Sequence, residues 1–304
     1  LDGPIAAKIA ACRAAGDDVA FTLDTHGPDY LDTQEGRKLP VPHCLLNSEG
    51  WQLYGQTGQA MELVKLALAQ PHLKLLGLHC HVGSQVFGED VYQRTIDIMA
   101  AFLAEIRDET GAVLEELNLG GGYGVRYTED DDAIDIPARL AELGAHLKAA
   151  AEKAGLPTIR FLMEPGRSIV ADAGMTLYTV GSVKRIPGYK QYVAIDGGMT
   201  DNPRYALYQS RYTVLHGSRT GNEERFDVVG RCCESGDIIQ PHVELPSDTC
   251  RGDVIAVCTT GAYNYSMASN YNRLPRPPIV MLAKDRAYEA VRRETLEDLI
   301  ALDL

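Results

Sequence analysis

The chain has 304 residues, of which 45% are hydrophobic and 23% charged, a composition that excludes wholesale disorder and leaves room for two domains or one large one. Its formal charge of 29 − 42 = −13 argues against a nucleic-acid or anionic-membrane partner, and no apolar run approaches the ~20 residues of a membrane-spanning helix. The seven cysteines are odd in number and lack C-x-x-C or other zinc spacing, so they fit a reduced, cytoplasmic setting better than a disulfide scaffold.

In chain order, Leu1 rather than Met comes first, and residues 1–11 show no basic region followed by an apolar core. The expectation is a piece of something longer, without a signal peptide. Residues 5–15 are Ala-rich and stop at Gly16, a helix with a glycine end, and 19–23 read as a strand. Residues 24–55 have little periodicity and read as a surface loop carrying His26, His43 and Cys44. A helix is expected over 59–69, before Pro71, and an apolar strand over 73–82. Between 90 and 107, Val91, Thr95, Ile98, Phe102 and Ile106 recur at three- and four-residue steps, the mark of a one-sided helix. A strand over 113–119 runs into three glycines, Gly120, Gly121 and Gly122. Asp135 can cap a helix with Pro137 in its first turn, Leu140, Leu143 and Leu147 in its buried stripe, and Gly155 at its end. Residues 158–163 form the next strand. Such alternation argues for a parallel sheet covered by helices, open or closed into a barrel.

After Asp172 the pattern changes to short β-rich segments at 175–185, 190–195, 225–229, 237–240 and 253–259, with helical periodicity returning at 294–302. The expected organisation is an α/β region over 1–172, read as part of a TIM-type β/α barrel, followed by an all-β domain over 173–304. A complete barrel takes ~250 residues, so the barrel is expected to be incomplete at its N-terminal side.

Three of the expected strands end in residues that do not look structural. The first ends His79-Cys80-His81-Val82-Gly83-Ser84, and strand alternation puts His79 and His81 on one face. Such a pair can hold a metal, stack on a ligand or sit satisfied in a core. The second ends in the glycine run, whose N–H groups can cradle a phosphate, although a tight turn explains it equally well. The third ends Met163-Glu164-Pro165-Gly166-Arg167, leaving a carboxylate and a guanidinium at its mouth. Read singly, a Glu–Arg pair is more often a surface salt bridge. Active sites of β/α barrels lie at these strand ends. A metal hydrolase would need further histidines and an Asp at later strand ends. A phosphorylated aromatic cofactor needs glycine N–H groups, a stacking partner and a carboxylate for a pyridine nitrogen, which points to pyridoxal phosphate. In the β domain, residues 196–201 lead to Arg204 and Tyr208, residues 231–237 place thiols beside carboxylates, and a polar stretch runs over 261–278. Each of these also reads as loop packing, and Cys232 and Cys233 as small buried residues.

The runs GLHCHVGSQ, LNLGGGYG, EPGRSIVADAG, DGGMTDNPRYALY, CCESGD and GAYNYSMASNYNRLPRPP occur in this order. From about Gln59 onward the chain thereby resembles the diaminopimelate decarboxylase family, within the alanine-racemase-like and ornithine-decarboxylase-like class of pyridoxal phosphate enzymes. The resemblance implies decarboxylation of meso-diaminopimelate to L-lysine, the last step of lysine biosynthesis. It implies that His81 stacks on the pyridine ring, that Ser84, Gly120, Gly121 and Gly122 bind the phosphate, and that Glu164 pairs with the ring nitrogen. Arg167, Arg204 and Tyr208 are similar to the residues that hold the distal carboxylate, and Tyr263 to a tyrosine that binds phosphate and lies beside the substrate. Cys233 resembles the thiol that returns a proton, and Glu234 the acid at the substrate's amino end. A homodimer with shared active sites is implied, and no metal. Two arginines favour a substrate with a second carboxylate over ornithine or lysine, so a polyamine-pathway decarboxylase is the weaker reading. The family's cofactor-bearing lysine sits in a Tyr-Ala-Val-Lys-Ala-Asn-like strand that this sequence lacks, and Lys8 is only a faint echo of it. That departure leaves a catalytically inactive regulatory homologue as a further reading.

Overall fold

The computed structural model describes residues 60–304; the expected helix at 5–15 with Lys8, the strand at 19–23 and the loop at 24–55 lie outside the described residues. Two units are present: residues 60–124 with Asp132–Gly166, and Val125–Asp131 with Arg167–Leu304. The division therefore falls slightly before the change of pattern at Asp172.

In the first unit, helix α1 (Ala60–Leu68) precedes strand β1 (Gly77–His79), and α2 (Glu89–Thr110) leads to β2 (Glu116–Asn118). Helix α3 (Ile136–Lys153) then leads to β3 (Arg160–Leu162). The strands pair in parallel in the order β1-β2-β3, with Leu78 beside Leu117 and Leu117 beside Phe161. Each strand adds next to its predecessor, the singly wound progression of a β/α barrel. Helix α2 buries Tyr92, Ile96, Leu103 and Ile106, so its stripe centres about one residue beyond Val91, Thr95 and Phe102, which flank it. An apolar face more than ~100° wide accommodates both sets. Gly111 ends α2 in the left-handed conformation, with φ +74°. Asp135 caps α3 by accepting a hydrogen bond from the Ala138 N–H at 3.0 Å, with Pro137 in the first turn, as its sequence demands. Leu143 and Leu147 of α3 complete a core with Leu117 and Leu119. Each such leucine contributes about 1.5–3 kcal/mol by leaving water.

The strands are shorter than the apolar runs that announce them. Beyond Asn118 backbone bonds to the β3 segment continue from the Leu119 N–H to the Leu162 carbonyl and from the Glu164 N–H to the Gly120 carbonyl, while the Gly120 N–H turns to the Asn118 side chain.

The second unit is a six-stranded sheet ordered β6-β9-β4-β5-β7-β8. Its strands are β4 (Met175–Arg185), β5 (Gln191–Ile195), β6 (Val214–His216), β7 (Glu223–Val229), β8 (Ile238–Pro246) and β9 (Val254–Cys258). β5 and β7 run parallel and the other pairs antiparallel. Alternate residues (Tyr178 and Val180, Val193 and Ile195, Phe226 and Val228, Ile255 and Val257) fill one core, the period-two pattern of a half-buried sheet. Tyr127 joins this core although it precedes β3 in the chain. A small antiparallel hairpin, β10 (Ile279–Leu282) with β11 (Ala287–Val291), follows. Short helices α4 (Arg167–Val170), α5 (Arg204–Tyr208) and α6 (Leu296–Ile300) complete the unit, so it is β-rich rather than free of helix. Among the described residues no helix is long and apolar enough to cross a membrane.

Candidate active site

The ends of β1, β2 and β3 bring His79, His81, Asn118, the glycine run and Glu164 together. Gly120 and Gly122 have φ of +65° and +95°, which a side chain resists. A Cβ on Gly121 would run into the Glu164 carbonyl, and one on Gly122 into the Gly83 carbonyl. The turn is tied down by its own polar groups. The Gly120 N–H donates to Asn118 Oδ1 at 2.9 Å and the Gly121 N–H to His81 Nδ1 at 3.2 Å. Tyr92, stacked on Tyr123 with ring centroids 4.6 Å apart, donates its hydroxyl to the Gly121 carbonyl at 3.0 Å. Among the described residues this leaves the Gly122 N–H and the exposed Ser84 hydroxyl without a hydrogen-bond partner.

The two histidines divide the work. With Nδ1 accepting from Gly121, His81 carries its proton on Nε2 and its ring is pinned to the glycine turn. His79 lies with Nε2 at 3.3 Å from Glu164 Oε2, while Asn118 Nδ2 donates to Glu164 Oε1 at 2.9 Å. Both carboxylate oxygens are thus held, yet the Glu164 side chain remains 58% exposed. No group of three or more His, Cys, Asp or Glu that could hold a metal occurs among the described residues.

In the second unit Arg167 and Arg204 are only 8% and 7% exposed. The Arg167 guanidinium donates to the Tyr127 hydroxyl at 2.6 Å and lies 4.8 Å from the centre of the Tyr263 ring. Arg204 lies 5.6 Å from the same ring and 5.3 Å from that of Tyr208. Neither arginine meets a carboxylate among the described residues, and the buried Arg204 Nε has no hydrogen-bond partner. Tyr263 holds φ +69°, a conformation that bulky residues rarely adopt away from functional sites. The loop before Arg204 is shaped by Asp201, which accepts from the Tyr178 hydroxyl and from the Gly198 N–H. Burial pushes the Asp201 carboxyl up.

The Cys-Cys-Glu-Ser turn hangs on the buried Asp237. That carboxylate accepts from the Met199 N–H at 2.6 Å and the Cys232 N–H at 2.7 Å, and Gly198 and Gly230 leave it room that a side chain would take. Burial pushes the Cys232 thiol up to about 11, so it is neutral at physiological pH, while Cys233 is the exposed thiol of the pair. The Cys233 N–H donates to Asn272 Oδ1 at 2.7 Å. Glu234 accepts from the Gly236 N–H at 3.2 Å and, at 3.5 Å, from the Tyr271 hydroxyl. Asn118, Asp237 and Asn272 lie inside runs singled out from sequence without a role being assigned; Tyr92 and Tyr127 carried no such signal.

Residues 44–171 match the family described as pyridoxal-dependent decarboxylase, pyridoxal binding domain. Fold and strand-end residues thus define a pyridoxal-dependent decarboxylase class. The chain is 42% identical over 303 residues to the diaminopimelate decarboxylase of Bacillus subtilis, covering 96% of this chain and 66% of that protein. It is 42% identical over 251 residues to that of Staphylococcus aureus, covering 82% of this chain and 58% of that one. The crystal structure of diaminopimelate decarboxylase from M. jannaschii in complex with L-lysine matches with a TM-score of 0.83 at 30% identity, over 98% of this chain and 67% of that one. This chain belongs to the diaminopimelate decarboxylase family. It spans 66% and 58% of the length of the two curated relatives.

Proposed function

We propose that the chain carries the pyridoxal phosphate site and the carboxylate-binding residues of a meso-diaminopimelate decarboxylase, which releases CO₂ and leaves L-lysine, and that it works in the cytoplasm as a homodimer with shared active sites. The observation that carries the substrate assignment is the pair Arg167 and Arg204, two buried guanidiniums around one tyrosine ring with no carboxylate paired to either among the described residues. A buried charge left unpaired is costly, so such a pair is complementary to an anion that arrives with the ligand. The distal carboxylate of diaminopimelate is such an anion; ornithine has none.

The first unit fits the cofactor. Glu164 offers a fixed, accessible carboxylate, which would keep the ring nitrogen of a bound pyridine protonated. The Gly122 N–H and the Ser84 hydroxyl are the donors left for a phosphate, while Gly120 and Gly121 have spent theirs on shaping the turn. The pinned His81 ring supplies a face for stacking. Pyridoxal phosphate, when bound, supplies a sink for the electron pair left behind when the α-carboxylate departs. Cys233 is the proton donor that replaces the broken C–C bond by C–H, and Glu234 holds the amino end. Tyr208 and Tyr263 flank the arginines on the substrate side.

The test is CO₂ release by the purified chain supplied with pyridoxal phosphate, with meso-diaminopimelate and ornithine in parallel. Diaminopimelate is expected to be turned over in preference by about 10²-fold or more, the discrimination two charge-assisted contacts provide. Ornithine turnover within about threefold of it would overturn the role given to Arg167 and Arg204.

A further inference from the structure

We infer that Asn272 is a positioning residue for the proton-donating thiol: its side-chain carbonyl fixes the backbone of Cys233. The inference rests on the reading of Cys233 as the proton donor. The side chains of Tyr271 and Asn272 address the Cys233–Glu234 pair one for one. Asn272 Oδ1 takes the Cys233 N–H at 2.7 Å, and the Tyr271 hydroxyl reaches Glu234 Oε2 at 3.5 Å. The preceding amide, that of Cys232, is already held by Asp237 at 2.7 Å. Two successive N–H groups are therefore anchored by acceptors from different parts of the chain, which leaves the Cys233 backbone little freedom to turn.

Asn272 is itself held in place. It adopts φ +53° and ψ 23°, the left-handed region, where asparagine is among the few side-chain-bearing residues that sit readily. On one side Asn270 Nδ2 donates to Glu294 Oε2 at 2.6 Å, and on the other the Arg273 guanidinium donates to the Leu299 carbonyl at 3.0 Å and to Asp303 at 2.9 Å. The C-terminal residues thus brace the segment that braces the thiol. Cys233 is exposed, so packing does not orient it, and this hydrogen bond is what fixes its backbone on the Asn272 side. A proton donor displaced by about 1 Å can cost ~10²-fold in rate.

The substitutions that separate the side-chain acceptor from the backbone conformation are Asn272→Gly, which keeps the left-handed turn and removes the acceptor, and Asn272→Asp, which keeps both. Amide hydrogen exchange of the full chain is read at Cys233, and decarboxylation as kcat and KM. Asn272→Gly is expected to speed Cys233 exchange about tenfold and to lower kcat by ~10²-fold with KM within about threefold, whereas Asn272→Asp stays within about threefold of wild type in all three. Unchanged Cys233 exchange in Asn272→Gly, or equal losses in the Gly and Asp variants, overturns the inference. A Cys233→Ala control separates it from the reading beneath: CO₂ release at the wild-type rate in that variant defeats the role of Cys233, while the exchange measurement still judges the hold of Asn272.

Discussion

A guanidinium taken out of water keeps its charge, because arginine does not give up its proton at any pH the fold survives. Arg167 meets this constraint with the Tyr127 hydroxyl and the face of Tyr263; Arg204 leaves one nitrogen wholly unmet. Replacing Arg204 by Met therefore removes a buried charge that meets tyrosines but no carboxylate among the described residues, while retaining much of the volume. The variant is expected to be at least as stable to urea as wild type, yet to lose about 10–100-fold in apparent affinity for meso-diaminopimelate. A urea titration and a KM measurement on the same preparation check this. Substantial destabilisation with unchanged KM would make Arg204 a structural residue. These roles were visible in the sequence only in part. Glu164 and His81 stand out because they close strands beside glycines. Their keepers do not: Asn118 reaches Glu164 across 46 positions of sequence, and Asn272 reaches Cys233 across 39, distances over which only the fold brings partners together.

At the scale of elements, legibility follows how locally each element is determined. Helix α3 is announced by its own residues: a carboxylate cap, a proline in the first turn and leucines on one face. Asp135→Ala is expected to cost about 1 kcal/mol through loss of the cap to the Ala138 N–H, seen as a lowered urea midpoint for the first unit. An unchanged midpoint would mean that packing of Leu143 and Leu147 alone sets where the helix starts. β4 was legible over its full length because Met175–Arg185 is rich in β-forming residues between turn signals, even though its burial alternates only as far as Val180, where the register shifts before Ser182. β6 was not, because Val214–His216 is too short for a period to show, and it becomes a strand only by pairing with β9. The β10–β11 hairpin was missed for the opposite reason: Val280, Met281 and Leu282 are consecutive and all exposed, so no alternation betrays them. In the first unit the apolar runs overstate the strands. Hydrophobicity marks what is buried, whereas regular pairing thins to single bonds past Asn118 and gives way where the Gly120 and Gly121 donors turn to the side chains of Asn118 and His81.

Across the whole molecule the excess of carboxylates, 42 acidic against 29 basic residues, makes acid the condition that tests how those charges are used. The C-terminal brace of the second unit relies on two of them. Hydrogen bonds from Arg276 hold Glu294 down to about 2, against an ordinary 4.5, and Arg292 lowers Asp298 in the same sense. A carboxyl whose pKa is depressed by folding stabilises the fold fully above its ordinary value and loses that contribution as pH falls toward its folded value. Asp201 acts in the opposite direction: burial raises it, so its charged form is a cost that acid relieves. Because Glu294 also accepts from Asn270, its protonation is expected to loosen the segment carrying Asn272 before the sheet itself unfolds. Glu294→Gln should thus lower stability by about 1–2 kcal/mol at neutral pH. The difference in urea midpoint between the two proteins, followed by near-ultraviolet circular dichroism, should stay constant above pH 4.5 and shrink toward zero as pH approaches 2. Hydrogen exchange at residues 270–276 should rise in wild type over the same interval and be high at every pH in the variant. A midpoint difference that persists undiminished at the acid end would show that Glu294 stabilises by shape and not by charge, and would detach the C-terminal brace from the pH response.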